Sequence, residues 1–278
     1  TMAKLAYQIN AICPDMNESG KLKLDKAENP LFTLAGKKAI PLNIELNEEK
    51  ILLLSGPNAG GKTVVLKSLG LYALMAQCGL FIPANKAQFP VYTKFMADIG
   101  DRQSIEDDLS TFSAHIQNLA TIVERADQNT LILLDELGTG TDPDAGAALS
   151  RAIMESLIQK NCTVIATTHL GSLKVWASDE KGIINGGMIF DSEALAPTYE
   201  LQLGTPGASY ALEISKRMGL SDDIINRSKE LVGDGSVNLE NILGQLEKER
   251  LAAESLRIDL QHREKKLKQI ETKIFSKE

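Results

Sequence analysis

Ile51-Leu52-Leu53-Leu54-Ser55-Gly56-Pro57-Asn58-Ala59-Gly60-Gly61-Lys62-Thr63-Val64-Val65-Leu66 decides the fold. An apolar run, Ile51–Leu54, reads as a strand covered on both faces, as in parallel sheets. The helical pattern Lys62–Ala76 follows, and between the two lies Gly56–Thr63, which fits G-x-x-x-x-G-K-[ST]. Glycines there let backbone N–H groups turn inward, and the helix N-terminus presents its positive end to an anion. Gly56, Pro57, Asn58, Ala59, Gly60, Gly61, Lys62 and Thr63 are therefore read as a polyphosphate cradle. Lys62 supplies a mobile cation for β/γ oxygens, and the Thr63 hydroxyl suits magnesium.

Working outward, Leu131–Leu134 and Val164–Ala166 are further apolar strands. Helical patterns over about Thr111–Ala126 and Asp144–Gln159 alternate with them, which predicts an α/β parallel sheet. Residues 21–25 and 42–47 alternate polar and apolar and predict antiparallel strands. Gly186–Asp191 and Tyr199–Leu203 predict a second antiparallel patch. Ala3–Ile12 reads as the tail of an upstream helix (1–13), ahead of a globular part at 14–207. Two short helical patterns fill 208–232, broken at Gly219 with Ser221 as N-cap, and Gly233–Val237 is a linker. Over 239–278, Leu239, Leu246, Ala253, Leu260, Leu267 and Ile274 recur every seven residues along a long C-terminal helix. That helix either forms a coiled-coil or partner contact, or packs on its own domain.

The strand Leu131–Leu134 ends in Asp135-Glu136. Asp135 is read as a magnesium ligand, and Glu136 as the base that polarises an attacking water, the alternative being a structural pairing at the strand end. His169 closes the next apolar strand, where it can sense a γ-phosphate, the alternative being a structural histidine. His115 and His262 lack that context and read as surface or packing residues. No arginine stands beside these elements to offset charge on the transferring oxygens. Ser110, read as an N-cap in Asp107-Asp108-Leu109-Ser110-Thr111-Phe112, either supplies those donors, from a second subunit if geometry demands it, or is an ordinary cap.

Composition narrows the classes. Hydrophobic residues at 43% support a real core, and a formal charge of −7 leaves no broad basic footprint for duplex DNA. Aromatics at 5% argue against a base-stacking single-strand module. Cys13, Cys78 and Cys162 have neither disulfide nor zinc spacing, which suggests a reducing compartment. No apolar run reaches the roughly 18 residues of a membrane span, and no signal-peptide pattern opens the chain, so a cytoplasmic protein without membrane contact is expected. Lys265–Lys268 reads as a solvated helix face.

GPNAGGKT at 56–63, DDLSTFSAHI, LLDELGTGTDPDAGAAL and ATTHL, in that order, resemble the MutS-type DNA mismatch-repair ATPases, an ABC-like branch of P-loop proteins. SIEDDLSTFSAH and LGTPGASYALEISKRMGL look most like the second bacterial MutS branch, linked to recombination suppression and ribosome rescue. The resemblance covers about residues 28–232. It implies an ABC-ATPase-like mixed sheet with flanking antiparallel strands, ATP and Mg²⁺ as cofactors, and a homodimer with two composite sites. By it, the Gly56–Thr63 loop, Asp135, Glu136 and His169 hold nucleotide in one subunit while Ser110 faces the partner's nucleotide. Asn58 would contact the γ-phosphate, Gly138–Asp142 would cross the dimer seam, and 208–232 would be the dimerisation element. The tyrosine that commonly follows the histidine is Leu170 here, and the usual basic-His-Pro start is reduced to Glu28-Asn29-Pro30. Neither a mismatch-reading region nor a nuclease module is read in these residues, so DNA or ribosome handling is expected to belong to other regions. The competing expectations are a static nucleotide-binding dimerisation module and an ABC ATPase of the chromosome-maintenance kind. The latter's Ser-Gly-Gly-Gln turn does not occur in 98–115.

Overall fold

A computed structural model describes residues 2–100, 108–191, 194–208, 210–228, 230–231, 257, 260 and 263, with the backbone alone for 108–111. It comprises two units, 1–225 and 226–278. The expected linker and most of the heptad helix, with His262 and Lys265–Lys268, lie outside the described residues.

The first unit is built on a six-stranded sheet of order β10-β9-β4-β8-β7-β6. Its strands are β4 (Ile51–Ser55), β6 (Lys94–Asp98), β7 (Thr130–Leu134), β8 (Thr163–Thr167), β9 (Ile183–Asp191) and β10 (Ala196–Leu203). β9, β4, β8, β7 and β6 run parallel, and only β10 is antiparallel. The central strands β4, β7 and β8 are buried throughout, which is why their sequences show no alternation. Alternate side chains still feed opposite cores. Leu52, Leu54, Leu131, Leu133 and Ile165 face one; Ile51, Leu53, Ile132, Leu134, Val164 and Ala166 face the other.

The first core is closed by α3 (Lys62–Gln77) and a four-stranded sheet of order β1-β5-β2-β3. That sheet holds β1 (Asp15–Asn17), β2 (Leu22–Ala27), β3 (Leu42–Leu46) and β5 (Lys86–Pro90). β2 and β3 match the alternating segments read from sequence, and they pair antiparallel. The second core is closed by α4 (Asp108–Arg125), α5 (Pro143–Gln159) and α6 (Gly171–Asp179).

Several expectations need correction. Gly186–Asp191 and Tyr199–Leu203 do pair antiparallel, as β9 and β10, but they form no separate patch. β9 starts earlier, at Ile183, and pairs parallel with β4 to extend the main sheet. The N-terminal helix α1 covers Met2–Gln8 and stops before Ile12, because Asn10 turns to φ 49° and Ile12 bridges to Ile82. α4 is already helical at Asp108, so Ser110 sits inside its first turns rather than capping it. The first unit also holds two short helices, α2 (Pro30–Leu34) and α7 (Ala211–Arg217). α7 ends before Gly219, at φ 99°, as the sequence indicates.

Candidate functional site

The site forms where β4, β8 and β7 end side by side. β4 leads into the loop Gly56–Gly61, which winds tightly: Gly60 N–H donates to Pro57 O at 3.0 Å, and Gly61 stands at φ 96°. α3 then starts at Lys62 with no side-chain cap on its first N–H groups. Uncapped N–H groups at a helix start are the donors an anion site requires. Lys62 is 9% exposed, and its Nζ donates to Gly56 O at 2.8 Å, Pro57 O at 3.0 Å and Asn58 Oδ1 at 3.4 Å. Burial lowers its pKa from the usual lysine value, while the nearby Glu136 and Asp135 carboxylates oppose that shift.

Asp135 follows β7, which is separated from β4 by β8. The carboxylate nevertheless reaches across: Thr63 Oγ1 donates to Asp135 Oδ1 at 3.3 Å, and Thr167 Oγ1 donates to the same oxygen at 2.6 Å. The Asp135 main-chain N–H is held by Asp98 O at 2.9 Å. Thr63 and Asp135 thus present hard oxygen ligands on one side of the loop, the donor type magnesium takes while keeping several waters. Among the described residues no group of three or more His, Cys, Asp or Glu could hold a metal.

Glu136 is exposed at the mouth and takes φ 52°, a left-handed conformation uncommon outside glycine. Its N–H donates to Thr167 Oγ1 at 2.7 Å, and Leu137 N–H donates to Thr167 O at 2.9 Å. His169, exposed, follows β8 in a turn fixed by Thr168, whose hydroxyl donates to Leu137 O and accepts from Leu170 N–H. The backbone at Ser110 is helical in α4, and its side chain is outside the described residues. His115, read as a surface or packing residue, packs half-buried and pairs with the buried Asp98.

Sequence reading gave no role to two contributors, Thr167 and Tyr199. Thr167 joins Asp135 to Glu136, and its only signal is a hydroxyl at the end of a buried strand. Beside α3 lies a cavity of about 330 Å³ lined by Asn29, Phe32, Val64, Tyr72 and Tyr199 among others. Asn29 caps α2 through Leu31 N–H and donates to Ser68 Oγ at 2.7 Å. Tyr199, at φ 61° in an irregular stretch of β10, comes to within 3.3 Å of where a Cβ on Gly61 would stand.

A mixed α/β domain with a glycine loop, a helix N-terminus and paired carboxylates gathered at one end of a largely parallel sheet is the class this geometry defines. Residues 52–234 match MutS domain V, and the chain belongs to the MutS family, in its MutS2 branch. It is 48% identical over 254 residues to "Endonuclease MutS2" of Ruminiclostridium cellulolyticum, covering 91% of this chain and 32% of that protein. It is 44% identical over 267 residues to the protein of that name from Thermomicrobium roseum, covering 91% and 34%. For Halothermothrix orenii the figures are 43% over 276 residues, 99% and 34%. The chain therefore spans about a third of the length of the curated relatives it matches. Among the described residues, no helix is long and apolar enough to cross a membrane.

Proposed function

We propose that the chain is a P-loop ATPase domain of ABC-like architecture that hydrolyses Mg-ATP and works as half of a dimeric switch. The observation that carries this reading is the meeting of Thr63 and Asp135 at 3.3 Å across an intervening strand, with Glu136 next in sequence on a strained turn. The loop N–H groups and Lys62 would hold the β- and γ-phosphates. Thr63 and Asp135 would hold magnesium, which offsets charge on the phosphate oxygens. The aromatic cavity beside α3 is of the size and polarity for a base, and it opens toward Gly61. Glu136 would accept a proton from the attacking water, with His169 near the γ-phosphate. Ser110 would act on the nucleotide of a partner copy, and the Gly138–Asp142 loop would lie along the seam. DNA or ribosome handling is assigned to regions outside this chain.

Phosphate release and sedimentation of the Glu136→Gln variant test this reading. The variant is expected to keep Mg-ATP, lose about 10²–10⁴-fold in turnover and become dimeric with ATP. Parent-like turnover would remove Glu136 as the base. Nucleotide held with neither turnover in the parent nor dimerisation would favour a static module.

A further inference from the structure

The segment between β10 and α7 is fastened to the base of the phosphate loop. Gly204 N–H donates to Asn185 O at 2.7 Å, and Gly207 N–H donates to Ser55 Oγ at 2.8 Å. A Cβ placed on Gly207 would stand 2.8 Å from Ser55 O and 2.9 Å from Gly56 Cα. The two backbones are thus in direct contact, which only glycine allows. From the other side a Cβ on Gly187 of β9 would stand 2.8 Å from Thr205 O and 2.9 Å from Gly207 N. The strap is gripped between the sheet and the loop.

Its carbonyl is gripped as well. Lys174 is 4% exposed, and its Nζ donates to Gly207 O at 3.1 Å. Lys174 sits in α6, which starts two residues after His169, and its own carbonyl accepts from Asn185 Nδ2 at 3.0 Å. Taking an ammonium out of water is costly, and a methionine would fill the same space without that cost. Beyond the strap, the Tyr210 ring stacks on Phe190 with centroids 4.7 Å apart. The far end of α7 is tied through Arg217 Nη1 to the carbonyls of Ala194 and Leu195. α7 is thus linked at both ends, through the Tyr210 ring and through Arg217.

We infer that residues 204–208 form a coupling strap that transmits the state of the phosphate loop to α7, with Lys174 and Gly207 as its positioning residues. The inference rests on the reading of 56–63 as the phosphate site. Close-packed backbones do not compress, so a shift of Gly56 on nucleotide binding is taken up at Gly207. Lys174 adds a second input, because α6, which carries it, starts two residues after His169. The coupling is reciprocal: whatever fixes α7 changes nucleotide affinity by the same factor.

Hydrogen exchange read by mass spectrometry on the 278-residue chain, with and without Mg²⁺ and a non-hydrolysable ATP analogue, tests it. In the parent, the analogue is expected to slow exchange at 56–63 and to change it at 204–217 by about 5–150-fold. In Lys174→Met, protection at 56–63 should persist while the change at 204–217 disappears. Gly207→Ala, which touches no phosphate, should weaken analogue binding, and it carries the test if Lys174→Met fails to fold. Protection at 56–63 with no change at 204–217 in the parent would overturn the strap and leave the phosphate site standing. So would a parent-like response in Lys174→Met, or parent-like analogue affinity in Gly207→Ala. No protection at 56–63 in the parent would overturn the nucleotide reading and the strap together.

Discussion

Thr167 is the residue on which the two carboxylate positions depend. Its hydroxyl donates to Asp135 Oδ1 and accepts from Glu136 N–H, and the residue is fully buried. Thr167→Val keeps the shape and removes both bonds. Leaving the Glu136 N–H unpaired should cost about 1–3 kcal/mol, read as a lower Tm. With Asp135 holding magnesium as proposed, loss of its tie should lower magnesium affinity or turnover about 10–100-fold. Glu136 and Asp135 were legible in sequence because an apolar strand ending in two acids is a local pattern. Thr167 was not, because it comes beside them only when β8 and β7 align Ala166 with Leu134. The same limit hid Tyr199, whose approach to Gly61 is made by tertiary structure across 138 residues, 199 − 61.

Among the elements, those with strong local signals emerged as read. α5 shows why: Asp142 Oδ1 accepts from both Asp144 N–H and Ala145 N–H, Pro143 opens the helix and Asp144 sits in its first turn. Asp142→Ala should cost about 1 kcal/mol, a Tm loss of about 2–4 °C in a domain of this size. The strands missed, β1, β5 and β6, are partly exposed and lie at or near sheet margins, so no clean period marks them. β9 was assigned to the wrong partner set because alternation cannot say that a strand also pairs parallel with β4. At the opposite end of β4, Lys50 Nζ donates to Gly20 O at 2.6 Å, and burial lowers its pKa from 10.5. The folded chain there binds fewer protons than the unfolded chain just below 10.5, so the contribution of Lys50 to stability rises with pH. The Tm of the parent relative to Lys50→Met should therefore increase from pH ~8 toward 10, and a decrease would contradict the burial of this ammonium.

At the scale of the molecule, the three thiols report how the sheet is enclosed. Cys13 and Cys78 are exposed, whereas Cys162 is buried and its pKa is pushed up to about 11, chiefly by burial. A thiol reagent near neutral pH should label two cysteines in the native chain and the third only on unfolding, since the thiolate is the nucleophile. Rapid labelling of all three would mean that the second core opens readily. The sequence by itself determined the strand–loop–helix cradle, the acidic strand end, the alternation of buried strands with helices and the family. Each of these is written in residues close together in the chain, where period and turn chemistry act. Only the tertiary structure decided that β8 separates β4 from β7, that Thr63 meets Asp135 across it, that aromatic side chains from α2, α3 and β10 share a cavity, and that Gly207 lies against Gly56. These depend on which strands pair and how closely two backbones approach, quantities set by packing the whole sheet rather than by any local run of residues.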